Sequence, residues 1–339
     1  MQVVIIPSNT LNFNFYGYTF LSSNAFIYDK AYKVLDKPNF SNYKEVMKMT
    51  IKTPPSFNVS GLGVDPLTQR IKEKEKKWKY KVAVLSGKGG VGKSTVAANL
   101  AAALAKLGYF VGVLDADVHG PNIAKMLGVE KAEILAEKAD DHFEMIPPTT
   151  EFMGQVTPIK VMSMGMMVPE DQPIIWRGPL VTKALKQLLG DVKWGELDFM
   201  IIDFPPGTGD QILTVVQTIQ LDAAIVVTTP QEVALLDTGK AVNMMKQMEI
   251  PYVAVVENMS YLICPHCGNR IDLFGEGGGE KLAKKENVDF LGKIPIDPKA
   301  REASDLGIPI VLYEDTPAAK AFMEITQRLV KKLEERSKA

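Results

Sequence analysis

Thiols are scarce in this sequence: of 339 residues only Cys264 and Cys267 are cysteine. So few exclude a disulfide-stapled scaffold, and a pair separated by two residues suits a metal or redox site instead. An excess of charge is missing too, since 39 Lys plus Arg nearly cancel 40 Asp plus Glu. Overall charge thus gives no reason to expect a nucleic-acid partner. No run reaches the roughly 18 apolar residues that a spanning helix needs. The opening MQVVIIPSNT has neither the charged n-region nor the continuous apolar stretch of a secretory signal. The expectation is a soluble, cytoplasmic protein with no membrane partner.

What is present divides unevenly. Residues 1–46 contain no Arg, hold ten of the 14 Phe and 10 Tyr, and show no sustained period of 2 or 3.6. With Met47 and Met49 following at once, residues 1–48 read as an N-terminal extension: an upstream stretch read in frame from a mis-assigned start, or a small appended element. Residues 49–79 read as a linker, TPPSFNVSGLGVDP, and a charged helix or tether, PLTQRIKEKEKKWKYK. From residue 80 to 339 short β-branched runs (KVAVLS, FVGVLDA, FMIIDF, AAIVVTT, YVAVVEN, VDFLGKI) alternate with helical patterns such as STVAANLAAALAKLG. Strands so uniformly apolar are buried on both faces. The expected fold is α/β, a doubly wound, mostly parallel sheet with helices on both faces.

After KVAVLS comes GKGGVGKS, which satisfies G-x-x-x-x-G-K-[ST] with Gly87, Gly92, Lys93 and Ser94. Gly87, Gly89, Gly90 and Gly92 let the backbone around Val91 turn tightly and aim N–H groups at phosphate oxygens, while the helix from Lys93 through Thr95 presents its positive end. Lys93 would neutralise the β and γ phosphates and Ser94 would ligate Mg2+. Asp203 ends the buried run FMIID before a Pro-Pro-Gly turn, placed to hold Mg2+ through water. Asp115 and Asp117 end FVGVLDAD, and Asp115 either joins that site or terminates its strand. No Asn-Lys-x-Asp guanine signature occurs, so ATP is expected. Lys88, a second lysine in the loop, resembles the deviant Walker A signature of the MinD, ParA and nitrogenase iron-protein class. The resemblance implies a homodimer in which Lys88 reaches the partner's phosphates, with Asp117 in switch I near the attacking water. Residues 203–210 would be switch II, and Asn258 would contact adenine or cap a turn.

ICPHCGN supplies two thiolates that can share one metal centre. A symmetric dimer would complete a four-thiolate set on its axis. A bridging [4Fe-4S] cluster, a bridging structural zinc and a dithiol redox pair all remain open from the residues alone; His266 is expected to face solvent.

From about Ile51 to the C-terminus the text GKGGVGKST, LDADVHGPN, Trp176-Arg177-Gly178-Pro179, DFMIIDFPPGTGD, VENMSYLICPHCG and GKIPIDP resembles the Mrp/ApbC (Nbp-type) iron-sulfur cluster carrier ATPases. The resemblance implies a homodimer that holds a labile [4Fe-4S] cluster between Cys264 and Cys267 of both subunits and passes it to apo iron-sulfur proteins, with ATP hydrolysis changing the dimer. With no cysteine before 264, a second cluster of the eukaryotic type is excluded. The competing expectation is a MinD- or ParA-like positioning ATPase with a structural zinc at the cysteine loop; the amphipathic stripe Ala319, Phe322, Ile325, Leu329 and Leu333 is expected to pack on the chain's own core rather than to serve as a membrane anchor. A reductase that bridges a cluster for electron transfer is the third reading.

Overall fold

Runs such as KVAVLS have no polar face to offer water, so each must be covered on both sides, and the chain meets that demand with one parallel sheet. The computed structural model describes residues 3–5 and 65–338, apart from 119, 140–141, 155, 168–177, 208 and 314. Residues 1–11 and 66–339 form one unit and 12–65 a second. The expectations for residues 1–48 and for the linker that follows lie outside the described residues, Val3–Ile5 excepted, as do Trp176 and Arg177.

In chain order the elements are β1 (Val3–Ile5), α1 (Pro66–Glu75), β2 (Trp78–Ser86), α2 (Lys93–Lys106), β3 (Val111–Asp115), α3 (Ile123–Met126), β4 (Leu135–Lys138), β5 (Phe143–Ile146) and β6 (Lys160–Ser163). Then follow α4 (Gly178–Gly190), β7 (Leu197–Asp203), α5 (Asp210–Thr218), β8 (Ala223–Thr228), α6 (Glu232–Gln247), β9 (Tyr252–Glu257), β10 (Leu262–Ile263), β11 (Arg270–Ile271), α7 (Gly278–Lys285), β12 (Asp289–Lys293), α8 (Pro298–Asp305) and α9 (Pro317–Ser337).

Seven strands make the central sheet in the order β12-β9-β8-β2-β7-β3-β6, and every neighbouring pair is parallel. Side chains alternate across it. Tyr80, Val82 and Val84 of β2 share one core cluster with α2 and α9, while Ala83 and Leu85, which point to the opposite face, are equally buried. On that second side α6 packs on β8 and α7 on β9. The expected doubly wound sandwich is the fold that forms. The charged segment after residue 65 is helical through Glu75, and its Arg70 is fastened to Asp191 just beyond α4 at 2.8 Å.

Two features depart from the expected pattern. β6 is an additional edge strand beside β3, and β4 pairs antiparallel with both β5 and β1 outside the main sheet. The C-terminal stripe has its own partner: Ala319, Phe322, Ile325, Leu329 and Leu333 are all buried in the core of the chain. Among the described residues no helix is long and apolar enough to cross a membrane.

The central position of β2 sets the site. Its neighbours β7 and β8 lie on opposite sides, so the loop after Ser86 opens at the carboxyl ends of the strands, where the connections diverge to the two faces. Parallel register brings Asp115 opposite Asp203 at that same end.

Candidate functional site

The phosphate-loop residues follow β2 directly, and α2 begins at Lys93. Its Ala-rich sequence, buried from Val96 to Ala105, lets the helix sit close to the sheet. Gly92 precedes it in the left-handed region at φ 80°. That conformation favours glycine, and a Cβ there would meet Asn258 Nδ2 at 2.2 Å and so displace the Asn258 amide. Val91 is buried, while Lys88, Gly89 and Gly90 are exposed. Gly87 lies against the backbone of Asp237, Ser86 Oγ donates to the Lys88 carbonyl at 2.9 Å, and the Thr95 carbonyl accepts from Asn99 Nδ2 at 2.9 Å.

Lys93, Ser94 and Asp203 come together as expected. Lys93 Nζ lies 2.7 Å from Asp203 Oδ1 and 3.1 Å from Ser94 Oγ, and Ser94 Oγ donates to Asp203 Oδ2 at 2.6 Å. Asp203 is fully buried. Burial pushes its carboxyl above the ordinary carboxylate range, against the opposing pull of the Lys93 ammonium. Oδ1 has the lysine charge nearby but no aligned hydrogen bond. A buried oxygen of this kind, next to a serine hydroxyl, suits an oxygen-seeking divalent cation, so the donor set fits Mg2+.

Asp115 is also fully buried, and its role is different. Oδ1 accepts from the Asp117 amide at 3.1 Å, while Oδ2 accepts from Ser163 Oγ at 3.0 Å and the Ile123 amide at 3.3 Å. Of the two readings open from the sequence, the terminating one describes this geometry: the side chain fixes the turn after β3. Burial and the neighbouring Asp203 raise its carboxyl to about 8. Ser163 is a site residue that sequence reasoning missed, because it lies at the end of the unexpected β6. Asp117 is held at the mouth, its Oδ1 accepting from the Gly120 amide at 3.2 Å. Asp117, Gly120, Pro205, Pro206 and Gln211 line an open cleft of about 440 Å³ between the two expected switch segments.

Asn258 stands at the end of β9 beside the loop. Its Nδ2 donates to the Val91 carbonyl at 2.9 Å, and its own amide donates to the Thr228 carbonyl at 2.8 Å.

The cysteines occupy a separate hairpin. β10 and β11 pair antiparallel, and the CPHC turn between them is closed by Cys264 N–H to the Asn269 carbonyl and Gly268 N–H to the Cys264 carbonyl, both 2.9 Å. Cys264 is half-buried, and Cys267 and His266 are exposed. Backbone N–H groups of Cys267 and His266, then the Cys267 thiol, hold the Cys264 thiol below its ordinary value. Ile271, Leu273 and Phe274 leave apolar surface exposed beside it. Among the described residues no three His, Cys, Asp or Glu are gathered around one metal position, so the hairpin presents two ligands and an open side.

Comparison with known proteins follows the same two features. The model of the NUBPL iron-transfer P-loop NTPases, in the ParA group, matches residues 77–330. The iron-sulfur cluster carrier protein of Pyrococcus horikoshii is 86% identical over 288 residues, covering 85% of this chain and 97% of that protein. The iron-sulfur cluster transfer protein NUBPL of Dictyostelium discoideum is 46% identical over 259 residues, covering 75% of this chain and 76% of its own length. A solved nucleotide-binding protein of Archaeoglobus fulgidus, in complex with ADP, is 42% identical with a TM-score of 0.60, covering 71% of this chain and 91% of that one.

Proposed function

The chain belongs to the NUBPL-type iron-transfer P-loop NTPases, and on that premise we propose that it is an ATP-hydrolysing carrier that assembles a labile [4Fe-4S] cluster between two copies of itself and transfers it to apo iron-sulfur proteins. The observation that carries this reading is the exposed CPHC hairpin on a phosphate-loop ATPase. It offers two thiols, one of them held below its ordinary pKa, with no third ligand beside them among the described residues. A second copy supplies the matching pair. The ATPase domain is taken as residues 80–339, preceded by a linker and charged helix over 49–79 and an extension over 1–48.

In this reading the loop amides from Gly87 to Gly92 hold the phosphates of ATP, and Lys93 neutralises the β and γ groups. Ser94 and Asp203 would hold Mg2+, which when bound supplies positive charge to the phosphate oxygens. Asp117, at the wall of the cleft, orients the attacking water. Lys88, exposed at the rim, reaches the partner's phosphates and makes hydrolysis depend on the dimer. Asn258 has committed Nδ2 to Val91, leaving Oδ1 as the atom it would offer to the adenine amine. The cluster is cargo, and a hairpin with one half-buried and one exposed thiol can surrender it as well as bind it.

The test is transfer. Protein reconstituted with iron and sulfide, then separated from free iron, should activate an apo [4Fe-4S] enzyme in the presence of a chelator. Activation no faster than with free iron and sulfide would count against the carrier role.

A further inference from the structure

Glu257, the last residue of β9, has no part in the chemistry above. It is wholly buried, and among the described residues no Lys or Arg is paired with it. A carboxylate at that depth persists only if its oxygens are well bonded. Each of them is: Oε1 accepts from Ser260 Oγ at 2.5 Å and Oε2 from the Gly279 amide at 2.6 Å. Gly279 has been brought so close that a Cβ would stand 3.0 Å from Glu257 Cβ.

The identity of these two donors matters. Ser260 opens the segment that carries β10, Cys264, Cys267 and β11, and Gly279 closes it at the start of α7. One carboxylate therefore grips both feet of the cysteine arm. The adjoining Asn258 is bonded to the phosphate-loop carbonyl of Val91 at 2.9 Å. Between Asn258 and Ser260, Met259 turns the chain through the left-handed region at φ 53°. The Ser260 amide then donates to Ile294 at 2.9 Å, which fixes the base of the arm to the neighbouring strand connection.

We propose that Glu257 is a positioning residue that couples the phosphate loop to the cysteine hairpin. A shift of the loop at Val91 on nucleotide exchange moves Asn258, and Glu257 passes the displacement to both feet together, so the hairpin moves as one body. The proposal rests on reading the cysteines as the cargo site, but its test needs no cluster.

The full-length, metal-free chain is treated with iodoacetamide in ADP or in a non-hydrolysable ATP analogue, and alkylation of Cys264 and Cys267 is followed by mass spectrometry. The two rates should differ by at least about fivefold, the lower end of ordinary coupling between sites. In Glu257→Ala the ratio should fall to near one while ATP hydrolysis and cooperative unfolding persist. Glu257→Gln should keep the ratio, because its carbonyl can accept from Gly279 and its amide can donate to Ser260 Oγ. A residue that only stabilised the fold would change both rates together and leave the ratio intact. Should Glu257→Ala fail to fold, Ser260→Ala releases one foot and should lower the ratio. A ratio retained in Glu257→Ala, or in Ser260→Ala where the first variant does not fold, or a wild-type ratio of one, overturns the proposal. Failure of the carrier reading would show separately, as wild-type protein that takes up no iron.

Discussion

Lys93 Nζ lies 2.7 Å from Asp203 Oδ1, so the charge that the loop offers to a phosphate is balanced within the protein by the carboxylate suited to Mg2+. Lys93→Ala removes the phosphate-neutralising group and also leaves Asp203 buried beside no cation. ATP turnover, measured as phosphate release, should drop by at least about 10²-fold. Unchanged turnover would sink the phosphate-loop assignment.

Gly92→Ala should lose nucleotide affinity and stability together. The residue sits at φ 80° and a Cβ would meet Asn258 Nδ2 at 2.2 Å, so the backbone cost alone is about 1–3 kcal/mol. Gly90→Ala is the control, since Gly90 has the same φ of 80° but nothing within 4 Å of its Cβ position. Thermal unfolding should show the larger loss for Gly92→Ala. Equal losses would mean that the contact with Asn258 contributes nothing.

Alkylation should distinguish the two cysteines. Amides of Cys267 and His266 stabilise the Cys264 thiolate, so its reaction with iodoacetamide should show a midpoint below the ordinary thiol value of about 8.5. Rates measured against pH by mass spectrometry check this. A Cys264 midpoint at or above the ordinary value contradicts the geometry of the turn.

Stability should fall as pH rises toward 8. Asp115 is raised to about 8 in the folded chain and returns to about 3.9 when unfolded, so the native state binds the extra proton between those values. Its contribution is fully present below about 4 and is lost as pH passes the folded value, with a slope of at most about 1.4 kcal/mol per pH unit. Asp115→Asn should flatten the dependence of the denaturant midpoint on pH. An unchanged slope would show that Asp115 is ionised throughout.

Much of the sheet was legible because its central strands are apolar on both faces: KVAVLS, FMIIDF, AAIVVTT and YVAVVEN all lie within or across β2, β7, β8 and β9. Lys160–Ser163 escaped because a four-residue edge strand between Pro158 and a Met-rich stretch carries too little pattern to separate it from a loop. Ser163 was hidden with it, and so was the hydroxyl that fixes Asp115. The loop residues were readable because phosphate chemistry demands those types at that spacing. Which carboxylate does what was not readable: Asp115 and Asp117 are two residues apart, and only the depth of β3 sends one into the core and the other to the cleft. Glu257 did leave a signal, a lone acid at the end of an otherwise apolar run, but its partners Ser260 and Gly279 are set by the path of the cysteine arm.

The central claim is that two copies of Cys264 and Cys267 share one cluster. Anaerobic reconstitution with iron and sulfide, with iron, sulfide and zinc analysed on the sized species, tests it directly beside Cys264→Ala. About four irons per dimer with visible iron-sulfur absorption, lost in the variant while nucleotide binding remains, is the predicted result. Tightly bound zinc, no iron chromophore and no change of mass on reconstitution would contradict it.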